Sequence, residues 1–219
     1  MTSSRFHAAL LSVWVLALIV SAIGTADRFT WMLEVAPAIL GIVALAATYR
    51  RFPFTNLVYV LIFIHSLILM LGGHYTYAKV PLGFWMQDFF HFSRNHYDRI
   101  GHFAQGFVPA MIAREIFIRR KVINGEAWRA TLIVAVCLAI SALYELLEWR
   151  TSVMSGSAAD AFLGTQGDVW DTQKDMFLAL TGAITALTIL GRVHDRQLRL
   201  PYNPERQPGD GVRVKPSPR

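Results

Sequence analysis

Residues 130–149 read ATLIVAVCLAISALYELLEW, an apolar block that is interrupted only near its end, by Glu145 and Glu148. At 1.5 Å per residue, a helix of this length covers about 30 Å, the thickness of the hydrocarbon core of a bilayer. The bilayer core offers no water to the backbone, so a segment that crosses it must be helical. This stretch therefore predicts a transmembrane helix with charged residues at one end.

Similar blocks recur along the chain, which has 219 residues and is 54% hydrophobic and only 16% charged. We predict six transmembrane spans, at residues 6–23, 32–49, 57–72, 100–118, 130–149 and 173–191. The predicted fold class is all-α, a polytopic membrane helix bundle, with residues 1–199 forming one transmembrane domain. Residues 200–219 are rich in Pro, Gly and charge, which favours a disordered basic tail. The first apolar run is long for a signal peptide, so we expect an uncleaved helix.

The basic residues orient the predicted bundle. If both termini are cytoplasmic, 15 of the 21 Lys and Arg residues lie on the cytoplasmic side, as the positive-inside rule requires. The net charge of +6 then reflects topology, so we expect the lipid bilayer as a partner and no nucleic acid. Cys137 is the only cysteine, which excludes an intramolecular disulfide and a thiol-based metal site.

Seven ionisable residues lie at the predicted outer ends of three spans, where a membrane helix tolerates charge poorly. They are Asp98, His102, Glu145, Glu148, Asp168, Asp171 and Asp175. Their three- and four-residue spacing places each group on one face of its helix. A charge at mid-membrane costs roughly 2.5–3.5 kcal/mol. These residues therefore require partner charges, water or a bound cation.

Three explanations of this cluster stay open. Arg99, Arg150 or Lys174 could compensate the acids in an ion-pair network, the acids could relay protons, or they could bind a divalent metal. Carboxylates suit Mg or Mn, and an imidazole ligand shifts the preference toward Mn, Fe or Zn. Capping does not explain Glu145 and Glu148, because negative charge is unfavourable near a helix C-terminus.

The candidate residues have different predicted roles. All seven are candidate metal ligands, with Mg, Mn or Zn as the candidate cofactor. His102, His74 and His96 are the candidate acid–base catalysts. Asp168, Asp171 and Asp98 have a second interpretation, because an Asp at or just inside a helix N-terminus caps backbone amides and complements the helix dipole.

Two long loops on the predicted outer side carry further signals. Residues 84–92 read FWMQDFFHF, where Trp85, Phe89 and Phe92 would share one face of a helix. This segment is either an interfacial aromatic belt or a lid over a site. The second loop contains Gly164-Thr165-Gln166-Gly167, and glycines before a helix can turn backbone amides toward an anion.

Four segments carry a resemblance to known proteins: HYTY at 74–77, RNHYDRIGHF at 94–103, YELLEW at 144–149 and GTQGDVWDTQKDM at 164–176. Together they resemble the YjdF family of bacterial inner-membrane proteins, which implies a multi-pass protein of the bacterial inner (cytoplasmic) membrane. A more distant pattern is similar to VanZ-like membrane proteins, associated with glycopeptide resistance, and implies a cell-envelope role. The matching positions are Asp98, His102-Phe103, Glu145, Asp168, Asp171 and Gly182. Asp175 stands where those relatives usually have Asn.

The sequence supports three hypotheses of function. The first is an outward-facing, metal-dependent site that acts on a lipid or lipid-linked envelope substrate. The second is a small proton-coupled transporter or flippase, although no inverted repeat or broken helix is evident. The third is a non-catalytic membrane packing or partner protein. No feature of the sequence indicates an oligomeric state.

The charge distribution makes a testable prediction about topology. Reporter fusions after Arg51, Lys121 and Arg219 should report the cytoplasm, and fusions near Lys79 and Ser157 should report the outer side, because basic loops are retained inside. Paired alkaline phosphatase and fluorescent protein fusions measure this. An outer-facing Lys121 would contradict the arrangement, since the three polar groups would then no longer meet.

Overall fold

The computed structural model describes residues 3–155 and 167–198, and its regular structure there is entirely helical. The helices are α1 Ser3–Ala22, α2 Arg28–Thr48, α3 Asn56–Tyr75, α4 Pro81–Phe90, α5 Tyr97–Arg119, α6 Glu126–Ser155 and α7 Asp171–Gln197. A 3-10 turn, Tyr77–Lys79, lies between α3 and α4. The predicted tail at 200–219 and the loop residues 164–166 lie outside the described residues.

Five of these helices, α1, α2, α3, α6 and α7, are long and apolar enough to cross a membrane. The prediction of an all-α membrane helix bundle is therefore confirmed. The predicted fourth span, 100–118, falls in α5, which is not among the five. Its 23 residues cover about 34 Å as a helix, so length is sufficient. Composition is what differs, because α5 carries charged residues such as Arg114 and Glu115, both buried in the protein.

α5 lies at the centre of the bundle. It packs against α3, α6 and α7, and its interface with α7 is the most extensive in the described part of the protein. α3 in turn packs against α1 and α2, so it joins the first two helices to the rest. Successive long helices run in opposite directions. The start of α5, the end of α6 and the start of α7 therefore meet at one end of the bundle, which we call the site end.

Two glycines bring α5 and α7 into backbone contact. A Cβ atom on Gly106 would overlap the carbonyl oxygen of Ala179, and one on Gly182 would overlap the carbonyl oxygen of Phe103. Small residues at such positions let membrane helices approach closely, which increases van der Waals contact along both backbones. The two helices are therefore held in one register.

A buried polar cluster at the opposite end ties α5 to α3 and α7. The Glu115 carboxylate, 0% exposed, accepts hydrogen bonds from the Thr55 backbone N–H at 3.0 Å and the Thr55 hydroxyl at 2.8 Å. His194 Nε2 lies 3.0 Å from the same carboxylate. The Arg114 guanidinium reaches His194 at 2.9 Å and Asp195 at 2.7 Å. Because these buried groups are partnered, the cluster stabilises the helix arrangement.

The close approach of α5 and α7 predicts the effect of added side-chain volume. Gly106→Val and Gly182→Val should each destabilise the protein by about 1–3 kcal/mol, because overpacking forces the two backbones apart. Gly191→Val is the matched control, since no atom lies within 4 Å of a Cβ at that position. Melting temperatures in mild detergent measure the difference. Equal melting temperatures for all three variants would contradict the contact.

Candidate functional site

The site end brings together five of the seven predicted residues, which we call the acid cluster: Asp98, His102, Glu145, Glu148 and Asp175. His102 and Asp98 extend from the first two turns of α5, the two glutamates from the last part of α6, and Asp175 from the second turn of α7. His102, Glu145, Glu148 and Asp175 are each 8% exposed or less. The polar residues of α5, α6 and α7 therefore meet, as predicted, in a buried part of the protein that has little contact with solvent.

The His102 imidazole lies at the centre of the acid cluster. Its Nε2 lies 3.4 Å from Asp98 Oδ1 and 4.0 Å from Asp175 Oδ2. Its Nδ1 lies 3.1 Å from Gln105 Oε1 and 3.7 Å from Glu145 Oε1. When Nδ1 donates its proton to Gln105, Nε2 carries a lone pair directed toward the carboxylates. A histidine that binds metal is usually held in this way by a hydrogen bond to its other ring nitrogen.

Two sets of three residues have ligand atoms close enough to share one metal ion. Asp98, His102 and Asp175 form one set, and His102, Glu145 and Glu148 form the other. Within each set the candidate ligand atoms all lie within 4.8 Å of one another. The two sets share the imidazole, so His102 connects the carboxylates of α7 with those of α6.

The acid cluster has less positive charge around it than the ion-pair hypothesis requires. Among residues 3–155 and 167–198, no Lys or Arg forms an ion pair with Asp98, Glu145, Glu148 or Asp175. Glu145 Oε1 and Asp175 Oδ1 are buried and lack a hydrogen-bond partner there. Arg150, one of the predicted partners, is exposed. Among the described residues, the carboxylates of the acid cluster therefore have no Lys or Arg to balance them.

Asp171 and Asp168 lie nearer the end of the bundle than the acid cluster and do have cationic partners. The Arg94 guanidinium binds the Asp171 carboxylate directly. Asp168 binds Lys174, and its Oδ1 accepts the Trp170 backbone N–H at 3.1 Å. These hydrogen bonds, that from Lys174 first, lower the pKa of Asp168. α7 begins at Asp171, and its N-cap residue, Trp170, makes no side-chain cap bond. Asp168 thus caps the turn before the helix rather than the helix itself.

The other two candidate histidines lie outside both ligand sets. His74 lies in the last turn of α3, and its Nδ1 lies 2.9 Å from the backbone carbonyl oxygen of Ser21. His96 immediately precedes α5 and contacts the Arg99 guanidinium at 3.3 Å. Burial lowers the pKa of His96 to about 4, and the nearby positive charges of Arg99 and Arg94 act in the same direction. His96 is therefore neutral at pH 7.

A fifth acid, Glu34, lies beside the four carboxylates of the acid cluster and is not among the predicted site residues. Glu34 extends from α2, is 3% exposed, and accepts a hydrogen bond from the Tyr144 hydroxyl at 3.3 Å. The Tyr144 ring also contacts the His102 ring, with 6.2 Å between centroids. The signal was present in the sequence, because Glu34 is an isolated acid inside the apolar span 32–49.

A cavity of about 500 Å³ opens from the acid cluster into the bundle. Its polar end is lined by Tyr77, Asp98, His102, Tyr144 and Glu148. Its apolar part runs between α2 on one side and α5 on the other, lined by Pro37, Gly41, Leu45, Pro109, Ile112 and Ile116. Such a mostly apolar cavity with a few convergent polar groups is typical of a small-molecule site.

The aromatic segment forms the short helix α4, which ends at Phe90. Trp85 and Phe89 stack on each other with ring centroids 5.4 Å apart, as their four-residue spacing predicts. Phe92 lies beyond the helix and stacks on Phe90 instead. Trp85 is 58% exposed and Phe89 64% exposed, so both rings can contact lipid at a membrane interface.

The apolar helices and the buried polar site define a multi-pass integral membrane protein. The family described as "Predicted membrane protein (DUF2238)" matches residues 6–196, and the chain belongs to it. The chain is also 54% identical to "Inner membrane protein YjdF" of Escherichia coli (strain K12) over 184 residues, which covers 84% of this chain and 88% of that protein. No solved structure matches the chain. The expected YjdF-like, multi-pass protein of the bacterial inner membrane is confirmed.

The Arg94–Asp171 pair predicts a specific dependence of stability on charge. Asp171 is 4% exposed, so Arg94→Gln leaves a buried carboxylate without its cation and should cost about 3–5 kcal/mol. Asp171→Asn in the Arg94→Gln background should restore part of the stability. Arg28→Gln is the control, because Arg28 is exposed at the start of α2. Melting temperatures that fall equally in Arg28→Gln and Arg94→Gln would contradict the pairing.

Proposed function

We propose that the acid cluster holds a divalent cation and acts on a lipid or lipid-linked substrate of the cell envelope. The observation that carries this proposal is the unbalanced charge of the cluster. Four carboxylates surround one imidazole, and two of their buried oxygens have no hydrogen-bond partner among the described residues. An uncompensated buried charge is costly, and a bound cation supplies both the missing charge and the missing contacts.

The ligand chemistry favours Mn²⁺, with Mg²⁺ and Zn²⁺ as alternatives. Carboxylate oxygens suit Mg²⁺ and Mn²⁺, and one imidazole moves the preference toward transition metals. We assign Asp98, His102 and Asp175 as the first ligands, because Gln105 orients the imidazole with Nε2 toward the two aspartates. A bound metal would acidify a water molecule or polarise a phosphoryl oxygen. Glu145 and Glu148 would then accept the proton of that water.

The cavity supports a lipid as the substrate. Its polar end contains residues of the acid cluster, and its apolar part continues along α2 and α5 toward the opposite end of the bundle. A molecule with an apolar chain and a polar headgroup matches this division. The more distant VanZ-like resemblance is consistent with an envelope substrate of this kind.

The proposal includes six spans with both termini in the cytoplasm. α5 is the sixth span, because its polar residues face other helices rather than lipid, as buried Arg114 and Glu115 illustrate. Intramembrane polar residues normally face a bundle interior in this way. With the predicted charge bias, the site end then faces outward, toward the envelope.

A proton-coupled transporter is the second candidate function, and His65 is the observation that favours it. His65 lies mid-way along α3 and lines the same cavity as His102. A titratable group at this depth can relay protons between the acid cluster and the opposite end. The two functions differ in their need for His65. His65→Gln should abolish proton-coupled transport in vesicles and leave metal binding unchanged.

The metal proposal predicts the behaviour of single carboxamide variants. The protein purified in mild detergent without chelator should contain about one metal ion per chain, and Asp175→Asn or Asp98→Asn should abolish this by removing a ligand. Elemental analysis and the melting temperature with added Mn²⁺ measure it. Metal should raise the melting temperature of the native protein, since it binds only the folded state.

Asp88→Asn is the matched control for these variants. Asp88 is an exposed acid on α4 and belongs to neither ligand set, so its substitution should leave metal content unchanged. A native protein that contains no metal, and whose melting temperature does not respond to Mn²⁺, Mg²⁺ or Zn²⁺, would overturn the metal proposal. The non-catalytic packing role would then be the simplest account.

A further inference from the structure

A second, basic pocket lies outward of the acid cluster. Its volume is about 430 Å³, and we call it the basic pocket. It is lined by the side chains of Ser93, Arg94, His96, Arg99, Asp168 and Lys174. None of these residues belongs to either metal-ligand set. The pocket is therefore a separate site, opposite in charge to the acid cluster.

Three cations of the basic pocket converge on one carboxylate oxygen. Asp168 Oδ2 lies 2.6 Å from Lys174 Nζ, 3.2 Å from an Arg99 guanidinium nitrogen and 3.5 Å from an Arg94 guanidinium nitrogen. Arg94 also binds the Asp171 carboxylate, whereas Asp168 and His96 match only part of the five N–H groups of the Arg99 guanidinium. The buried Nε of Arg99 has no hydrogen-bond partner among the described residues. The pocket thus has unused capacity for an anion.

The shape of the backbone adds to this capacity. Gly167 adopts φ +85, a left-handed conformation that favours glycine, directly before Asp168. α7 begins shortly afterwards, and the N-terminus of a helix of 27 residues carries partial positive charge. The planar guanidinium of arginine can form two parallel N–H···O hydrogen bonds, which match the oxygen geometry of phosphate and of carboxylate. Asp168 therefore occupies the position that a phosphate oxygen would take.

We propose that the basic pocket binds the phosphate group of a phospholipid or lipid-linked phosphate, and that Asp168 is an internal competitor for that phosphate. The lipid part of this assignment rests on the proposed function, whereas phosphate binding itself requires no metal. Asp168 and Asp175 are seven residues apart on or beside α7, which is about 10 Å along a helix. A phosphate group in the basic pocket is then close enough to the acid cluster for one lipid headgroup to contact both. Without such a pocket, the carboxylates would repel an anionic substrate.

The surroundings favour a lipid over free phosphate as the source. His96 of the pocket contacts the Phe92 ring, with 4.9 Å between centroids. Phe92 is 38% exposed and continues the aromatic face of α4, where Trp85 and Phe89 are also exposed. Aromatic side chains of this kind concentrate at the headgroup level of a membrane. The basic pocket thus lies at the depth of lipid phosphates.

The test uses the full chain in mild detergent with a chelator present, so that no metal contributes. The probes are short-chain phosphatidic acid, short-chain diacylglycerol and inorganic phosphate, with affinity measured by microscale thermophoresis. Phosphatidic acid should bind at least about tenfold more tightly than either of the other two. Lys174→Gln and Arg99→Gln should each weaken it by about tenfold, since each removes one charge-assisted contact.

Asp168→Asn provides the decisive variant. It removes the competing charge and should tighten phosphatidic acid binding several-fold, although it also removes ion pairs. Arg150→Gln is the control, because Arg150 is exposed and lies outside the pocket, and it should change nothing. An affinity that is unchanged in Lys174→Gln and Arg99→Gln, or weaker in Asp168→Asn, would overturn the proposal. Equal affinity for inorganic phosphate would overturn the lipid assignment.

Failure of this inference is distinguishable from failure of the proposed function. A protein without metal that still shows the predicted dependence on Lys174, Arg99 and Asp168 would keep the phosphate site and lose the metal site. A protein that binds metal stoichiometrically, but whose affinity for phosphatidic acid does not change in the Lys174, Arg99 and Asp168 variants, would keep the metal site and lose the phosphate site.

Discussion

The backbone contact between α5 and α7 determines where the polar residues of this protein meet. Gly106 and Gly182 let the helices approach until a Cβ at either position would overlap the opposite chain. His102 lies one turn before Gly106, and Asp175 lies one turn before Ala179, the residue that Gly106 contacts. The contact therefore places the imidazole beside the aspartate. If the helices lay further apart, His102 and Asp175 would each face lipid or water, and the two side chains could not bind the same cation.

The site end consists of two regions of opposite charge in sequence along α7. The acid cluster lies further into the bundle and has no Lys or Arg partner in the part of the chain that the structure describes, whereas the basic pocket lies nearer the end of the bundle, around Asp168. Arg94 of the basic pocket binds Asp171, which lies between Asp168 and Asp175 along the chain. This order suits a substrate whose phosphate stays near the surface while its reactive bond reaches the acid cluster. In the proposed function, the apolar cavity below the cluster would accommodate the hydrocarbon chain of that substrate.

Much of this arrangement follows from the sequence, because helical spacing and apolar length are local properties. The apolar blocks predicted the helices, and the spacing of Asp98 with His102 and of Glu145 with Glu148 predicted shared faces. The sequence could not assign Arg94 to Asp171, since no spacing rule links a residue of the loop before α5 to the start of α7. The sequence marks Glu34 as an isolated acid in an apolar span, but only the packing of α2 shows that it contacts Tyr144. Hydropathy alone does not identify α5 as a membrane span, because its polar residues pair with residues of neighbouring helices rather than with water.

The central claim is that a metal ion joins His102 to the carboxylates around it. Electron spin-echo spectroscopy of the purified protein with one equivalent of Mn²⁺ tests it most directly, because it detects a ligand nitrogen without requiring a known substrate. The account predicts protein-bound Mn²⁺ with coupling to one imidazole nitrogen in the native protein, and loss of that coupling in His102→Gln. A spectrum of free hydrated Mn²⁺ in the native protein, or the same nitrogen coupling in both proteins, would contradict it.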